Sequence, residues 1–181
     1  MKHPARWITI AVAVVVAVIG IVLATQVGTD PTADTRSSPL LGKAAPQFSV
    51  RTLDGARVTN TTLAGKAVIV NFWNTWCTPC REEHDALSIF YARHANEPDF
   101  AMVGIVRDDT ARAVGSYQKR TPDPWAIALD PSSAASLAFG TRGQPETYAI
   151  SPDGLVAGAQ IGPATVESLD RMLDAARRIP Q

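Results

Sequence analysis

The chain has 181 residues, 46% of them apolar, enough for one ordinary domain with appendages. Lys plus Arg and Asp plus Glu balance at 17 each, and setting aside Lys2, Arg6, Arg36, Asp30 and Asp34 of the N-terminal arm leaves 14 basic against 15 acidic residues. A body so near neutrality has no electrostatic footprint for nucleic acid, and no block of like charges marks an interaction tail.

Residues 8–27 read ITIAVAVVVAVIGIVLATQV, uncharged and with only Thr9, Thr25 and Gln26 polar. As a helix this run is about 30 Å long, the thickness of a bilayer core. Lys2, His3 and Arg6 precede it and Asp30 and Asp34 follow, so residues 1–7 are expected in the cytoplasm and everything after residue 27 outside. The stretch is long for the core of a cleaved signal peptide, which favours an uncleaved anchor. Cleavage after Val22-Leu23-Ala24, giving a secreted protein, is the alternative. Residues 28–41, rich in Thr, Ser, Asp and Pro, read as a flexible tether. The folded domain is expected over 42–181.

Within that domain Phe48–Leu53 alternates, Asp54-Gly55 turns and Ala56–Thr59 returns, which predicts a hairpin. Ala67–Trp73 (AVIVNFW) is a continuous apolar run with β-branched residues, as a buried central strand requires. A helix is predicted from the Cys77 region to His94, with Leu87, Phe90, Tyr91 and His94 on one face. Phe100–Val106 predicts another buried strand, Thr110–Arg120 a helix, Trp125–Leu129 a strand and Ser133–Phe139 a short helix. Glu146–Ser151 and Leu155–Ile161 flank Asp153-Gly154 as a second hairpin. A last helix is predicted over Thr165–Ile179, with Val166, Leu169, Leu173 and Ala176 as its apolar stripe. Strands alternating with helices and closing on a hairpin and helix predict an α/β domain with a mixed central sheet.

Cys77 and Cys80 are the only cysteines. Spaced C-x-x-C, they close too short a loop for the bond to brace a fold, so the pair reads as a redox device rather than a structural disulfide. Both sit at a helix start, where unpaired amides and the positive end of the dipole stabilise a thiolate. Cys77 is expected to be exposed and to exchange with a substrate disulfide, with Cys80 more buried and resolving the mixed disulfide. Trp76 is expected to pack beside the pair and shield it, and Thr78-Pro79 to tune its potential. Pro79 is tolerated in the first turn, whose amides lack partners. A structural disulfide is the bland alternative; a zinc site is a further one, but Cys77, Cys80, His84 and His94 are its only nominal ligands and His94 lies about four turns along the helix from Cys77. His84, seven residues beyond Cys77, is within helical reach of the site but reads first as a surface or core histidine.

These residues resemble the thioredoxin superfamily, and within it the extracytoplasmic TlpA/ResA/DsbE group. The resemblance runs from about Gly42 to Ile179. It is carried by Ala45-Pro46-Gln47-Phe48, by Leu63-Ala-Gly-Lys66, by the run from Val70 through Trp76-Cys77-Thr78-Pro79-Cys80 to Glu83, and by Gly143-Gln144-Pro145-Glu146-Thr147-Tyr148. It implies a thioredoxin-like fold with an N-terminal β-hairpin extension and a separate membrane helix. It also implies a reversible Cys77–Cys80 disulfide, a cis peptide before Pro145 facing the cysteines, and a Gln144 backbone offered to a substrate strand. Glu83 matches an acid that tunes proton transfer at the resolving thiol, and Glu146 is expected to add negative potential at the rim. Gln144 is larger and more polar than the residue expected before that proline.

The expected function is thiol:disulfide exchange with no cofactor or metal. Reduction of client disulfides through a mixed disulfide comes first, with apocytochrome c a candidate client and a membrane thiol protein as electron donor or acceptor. The alternatives are a disulfide-forming oxidant, a peroxiredoxin-like peroxidase (the Ala-Pro-x-Phe run is shared with those enzymes) and a non-enzymatic binding module.

Overall fold

The computed structural model describes residues 12–21 and 38–178. Residues 12–21, all Ala, Val, Ile or Gly, are helical (α1). Among the described residues no helix is long and apolar enough to cross a membrane. Both flanks of the expected 8–27 span, the Val22-Leu23-Ala24 site, the tether up to residue 37 and residues 179–181 lie outside the described residues.

The domain runs β1 (Ser49–Thr52), β2 (Arg57–Thr59), α2 (Asn60–Leu63), β3 (Ala67–Trp73), α3 (Thr78–Glu82), α4 (His84–His94), β4 (Phe100–Arg107), α5 (Ala111–Arg120), β5 (Ala126–Asp130), α6 (Ala134–Phe139), β6 (Glu146–Ile150), β7 (Val156–Ile161) and α7 (Val166–Arg178). One sheet of seven strands has the order β2-β1-β5-β4-β3-β6-β7. Strands β3, β4 and β5 are parallel, while β1, β6 and β7 join antiparallel, so the sheet is mixed. Both predicted hairpins form. Gly55 and Gly154 take φ of 90° and 80° at their turns, which an L side chain rarely adopts.

Strand β3 is buried at every residue because both its faces are covered. Ile69 and Trp73 join an apolar cluster with Leu87 and Phe90 of α4, Val114 and Tyr117 of α5, and Leu169 and Leu173 of α7. Val68, Val70 and Phe72 join a second cluster with Val50 of β1 and Phe139 of α6. Asn71 lies on the first face, where its side-chain amide and the Trp73 indole N–H are the polar groups β3 brings to that core. Gly104 of β4 is a close-packing position: a Cβ there would come within 2.8 Å of Trp73 Nε1 and 2.9 Å of Ile127 Cδ1.

Three local features differ from the sequence expectation. The helix predicted from the cysteine pair to His94 is two helices, broken at Glu83. On α7, Met172 is buried with Leu169, Leu173 and Ala176, whereas Val166 is only half-buried. Packing also starts before Gly42: Leu40 and Leu41 are partly buried against the second cluster, and the Gly42 N–H donates to the Val156 carbonyl at 2.8 Å.

The topology gathers one set of loops at one end of the sheet. Parallel β3 and β4 both finish there, where Trp73 pairs with Val106. Strand β6 starts there and β7 ends there, with Phe72 opposite Glu146 and Glu146 opposite Ile161.

Candidate active site

Cys77 caps the N-terminus of α3 and Cys80 lies one turn in. The two are joined in a disulfide with S–S 2.02 Å and Cα–Cα 5.3 Å. The Cys80 N–H donates to Cys77 Sγ at 3.2 Å, and in the reduced protein the same amide is placed to stabilise a Cys77 thiolate. Pro79 occupies the first turn, where its missing N–H leaves no bond unmade. Thr78 is exposed and accepts from Arg81 Nη2 at 3.1 Å.

Two expectations about exposure are corrected. Cys77 is 5% exposed, hardly more than Cys80 at 4%, because the closed disulfide draws both sulfurs into the cluster containing Trp73 and Leu87. Trp76 is not part of that cluster. It is 60% exposed, its indole N–H held by the Asp108 carbonyl at 3.2 Å, which carries the ring towards the loop after β4. Its neighbours are tied to the same loop. Asp109 accepts from the Thr75 N–H at 3.0 Å and the Thr75 hydroxyl at 2.6 Å, and the Asn74 amide donates to the Arg107 carbonyl. The Cys77 loop is thereby fixed to the end of β4.

Glu83 is 2% exposed, unlike its exposed neighbours Glu82 and Asp85. At the break between α3 and α4 its carboxylate turns inward. Oε1 accepts from Asn71 Nδ2 at 2.9 Å and Oε2 from the Ala164 N–H at 2.7 Å. Burial pushes the Glu83 carboxyl up from 4.5 to about 7, against the opposing pull of those two donors. Asn71 and Cys80 line the same narrow cleft, so Glu83 lies one side chain away from that cleft.

The Gln144–Pro145 peptide is cis. Because Phe72 pairs with Glu146, Pro145 is level with Trp73, at the sheet end that carries the Cys77 loop. The Gly162 N–H donates to the Pro145 carbonyl at 2.9 Å. Gln144 Nε2 is buried without a hydrogen-bond partner among the described residues. Glu146 is not a rim charge. It is 1% exposed, with Oε1 accepting from the Arg142 and Gly143 amides at 2.6 and 3.1 Å and Oε2 from the Tyr148 hydroxyl at 2.9 Å. The pleat turns its side chain to the same face as Tyr148, so it braces the loop before Pro145 from inside. Burial, reinforced by Glu146, raises the Tyr148 phenol.

His84 is the residue whose part the sequence understated. Its Nε2 lies 2.6 Å from Asp123 Oδ1, and both residues line the cleft under Cys80. The spacing of four from Cys80 hints at this, one helical turn on; nothing in the sequence points to Asp123, 39 residues away. His94 bonds Glu97 and Asp170 instead, and among the described residues no three His, Cys, Asp or Glu side chains converge as a metal site. A larger cleft of about 370 Å³, lined by Phe48, Val68 and Ile150 among others, sits at the start of β3, away from the cysteines.

A family model described as Redoxin matches residues 40–173. The chain is 34% identical over 129 residues to the thiol:disulfide interchange protein DsbE of Allochromatium vinosum, covering 70% of this chain and 69% of that protein. It is 31% identical over 133 residues to the thiol-disulfide oxidoreductase ResA of Bacillus cereus, covering 74% and 76%. The crystal structure of a thioredoxin-family thiol:disulfide interchange protein from Chlorobium tepidum TLS matches with a TM-score of 0.64 at 31% identity, over 74% of this chain and 94% of that one. A disulfide at the head of a helix, set on this mixed sheet, is what such proteins need. The chain belongs to the Redoxin family and is a thioredoxin-like thiol:disulfide oxidoreductase of the DsbE/ResA type.

Proposed function

We propose that the chain is a membrane-anchored, extracytoplasmic reductant of client disulfides, with the C-x-x-C-H site of an apocytochrome c as its client and a membrane thiol protein as its electron donor. The observation that carries the direction is the burial of Glu83 behind the Cys80 cleft. When ionised, an acid there repels a Cys80 thiolate; when neutral, it offers that thiolate no charge of its own. A dithiol whose thiolates are poorly stabilised gains by closing, and so gives its electrons away. The hydrogen bond from the Cys80 N–H to Cys77 Sγ pulls the other way, and on it rests the rival reading, a disulfide-forming oxidant.

In this reading Cys77 attacks the client disulfide and Cys80 releases the client. The Gln144 backbone beside cis-Pro145 lines the client's strand, and Thr78-Pro79 tunes the potential. Residues 8–27 form the anchor, supported by the wholly apolar helical residues 12–21.

A peptide carrying an oxidised C-x-x-C-H site tests the direction. Reduced full-length protein is expected to reduce it, two peptide thiols appearing for each protein disulfide formed, while the oxidised protein leaves the reduced peptide unchanged. Rapid oxidation of the reduced peptide by the oxidised protein, with no transfer the other way, overturns the reading.

A further inference from the structure

Beneath Cys80 the fold holds a second ionisable pair. The cleft lined by Asn71, Cys80, His84, Tyr117, Asp123 and other side chains has about 10 Å³ of room for the centre of a water molecule, enough for about one. Asp123 is fixed within it: Oδ1 meets His84 Nε2 at 2.6 Å, Oδ2 accepts from the Gln118 side-chain amide, and the Asp123 N–H donates to Gln118 Oε1 at 2.9 Å. The Asp123 side chain is 2% exposed and that of His84 18%. The indole of Trp125 lies against the imidazole, ring centroids 6.0 Å apart. With Asp123 ionised and accepting from Nε2–H, Nδ1 is left as the acceptor nitrogen of a neutral imidazole. A base oriented by a buried acid, beside a sulfur that must ionise in order to react, is the arrangement that activates nucleophiles elsewhere.

We propose that the His84–Asp123 pair accepts the proton of the Cys80 thiol when the client is released. Imidazole takes the proton through the one water for which the cleft has room, and the Cys80 thiolate attacks Sγ of Cys77 in the mixed disulfide. The Cys77–Cys80 bond forms as the Cys77–client bond breaks, and the client leaves as a thiolate that is then protonated. The cysteine pair loses two electrons and the client gains two, so no further reactant is needed. Asp123 acts through His84 and is a positioning residue. This role is separate from that of Glu83, which lies outside the cleft, one side chain further off beyond Asn71.

The other ionisable groups facing the cleft do not compete for the proton. Burial raises the Tyr117 phenol, which stays neutral, and Arg81 and Arg120, near enough to act on Tyr117 electrostatically, carry guanidinium groups that only donate. Burial raises the Asp123 carboxyl, opposed by Gln118 and His84.

The proposal rests on Cys77 being the entering thiol and Cys80 the resolving one. Reduced full-length protein mixed with excess dithiobis(nitrobenzoate) tests both. Attack by Cys77 releases one thionitrobenzoate, and closure by Cys80 releases a second. His84→Asn is expected to leave the first phase unchanged and to slow the second about tenfold near neutral pH, a displacement of its profile by about one pH unit to the alkaline side. The two profiles should merge once the medium ionises Cys80 unaided. Asp123→Asn, nearly isosteric, should shift the second phase in the same direction and keeps the test open if His84→Asn fails to fold. A second phase that is unchanged, or slowed equally at every pH, overturns the proposal. A first phase that survives Cys77→Ser with His84 intact overturns the assignment of the thiols instead.

Discussion

Cys80→Ser is expected to hold clients as covalent mixed disulfides through Cys77, whereas Cys77→Ser holds none and falls to the background rate of exchange. The asymmetry follows from where the two sulfurs sit. Cys77 Sγ lies at the helix N-cap, where it accepts the Cys80 amide, on a loop whose outer surface is the exposed Trp76. Cys80 is one turn further in, facing the cleft with His84 and Asn71. In the proposed mechanism the client disulfide is attacked by Cys77 at the helix N-cap, and Cys80, one turn further in, breaks the resulting bond from behind. The chain has no third thiol to rescue either variant. Non-reducing electrophoresis of the two variants, each exposed to an oxidised C-x-x-C-H peptide, reads the result. Adducts that accumulate on Cys77→Ser in place of Cys80→Ser reverse the roles.

Stability of the oxidised protein should fall as pH rises between about 4.5 and about 7, and Glu83→Gln should remove most of that slope. The folded protein holds the Glu83 proton up to about 7, against an ordinary 4.5. Folding therefore binds this proton more tightly, so the contribution is fully present below the lower value and is lost as pH rises through the upper one. The interval corresponds to about 3 kcal/mol. Gln cannot titrate, and its NH₂ cannot accept the bond that Asn71 or Ala164 now donates, so the variant is also expected to be weaker at low pH, where the wild type is protonated. Urea unfolding across the pH series, taken as the difference between the two proteins, cancels the contribution of Asp123, which has the same sign in both. Parallel stability curves would mean that Glu83 is not the group whose burial is felt.

Much of the frame was legible in the sequence because it is written in local patterns. The continuous apolar run Ala67–Trp73 is β3 to the residue, and Asp54-Gly55 and Asp153-Gly154 sit at the turns of the two hairpins. The cysteine pair declared itself through its spacing, and Pro145 through the run around it. Glu83 and Glu146 were picked out, but where their charges lie was not. Whether a carboxylate faces water or two buried amides depends on the meeting of Asn71, Ala164 and Glu83, or of Arg142, Gly143, Tyr148 and Glu146, and only the first of those sets spans the whole domain. His84 and Asp123 meet for the same reason: α4 and the loop after α5 pack on one face of β3, a consequence of topology with no counterpart in sequence spacing. The break at Glu83 also escaped, since the apolar face of Leu87 and Phe90 lies wholly within α4 and does not mark where that helix begins.

The central claim is that Cys77 and Cys80 pass between bond and dithiol as one reversible two-electron couple while the fold around them persists. Equilibrating the full chain across a series of glutathione redox buffers, then alkylating and weighing it, measures this directly. The account predicts a single transition in which both sulfurs gain or lose the label together, approached identically from the oxidised and the reduced side, with an unchanged circular dichroism spectrum. A pair that takes the label one sulfur at a time, or that stays closed until the protein unfolds, would contradict it.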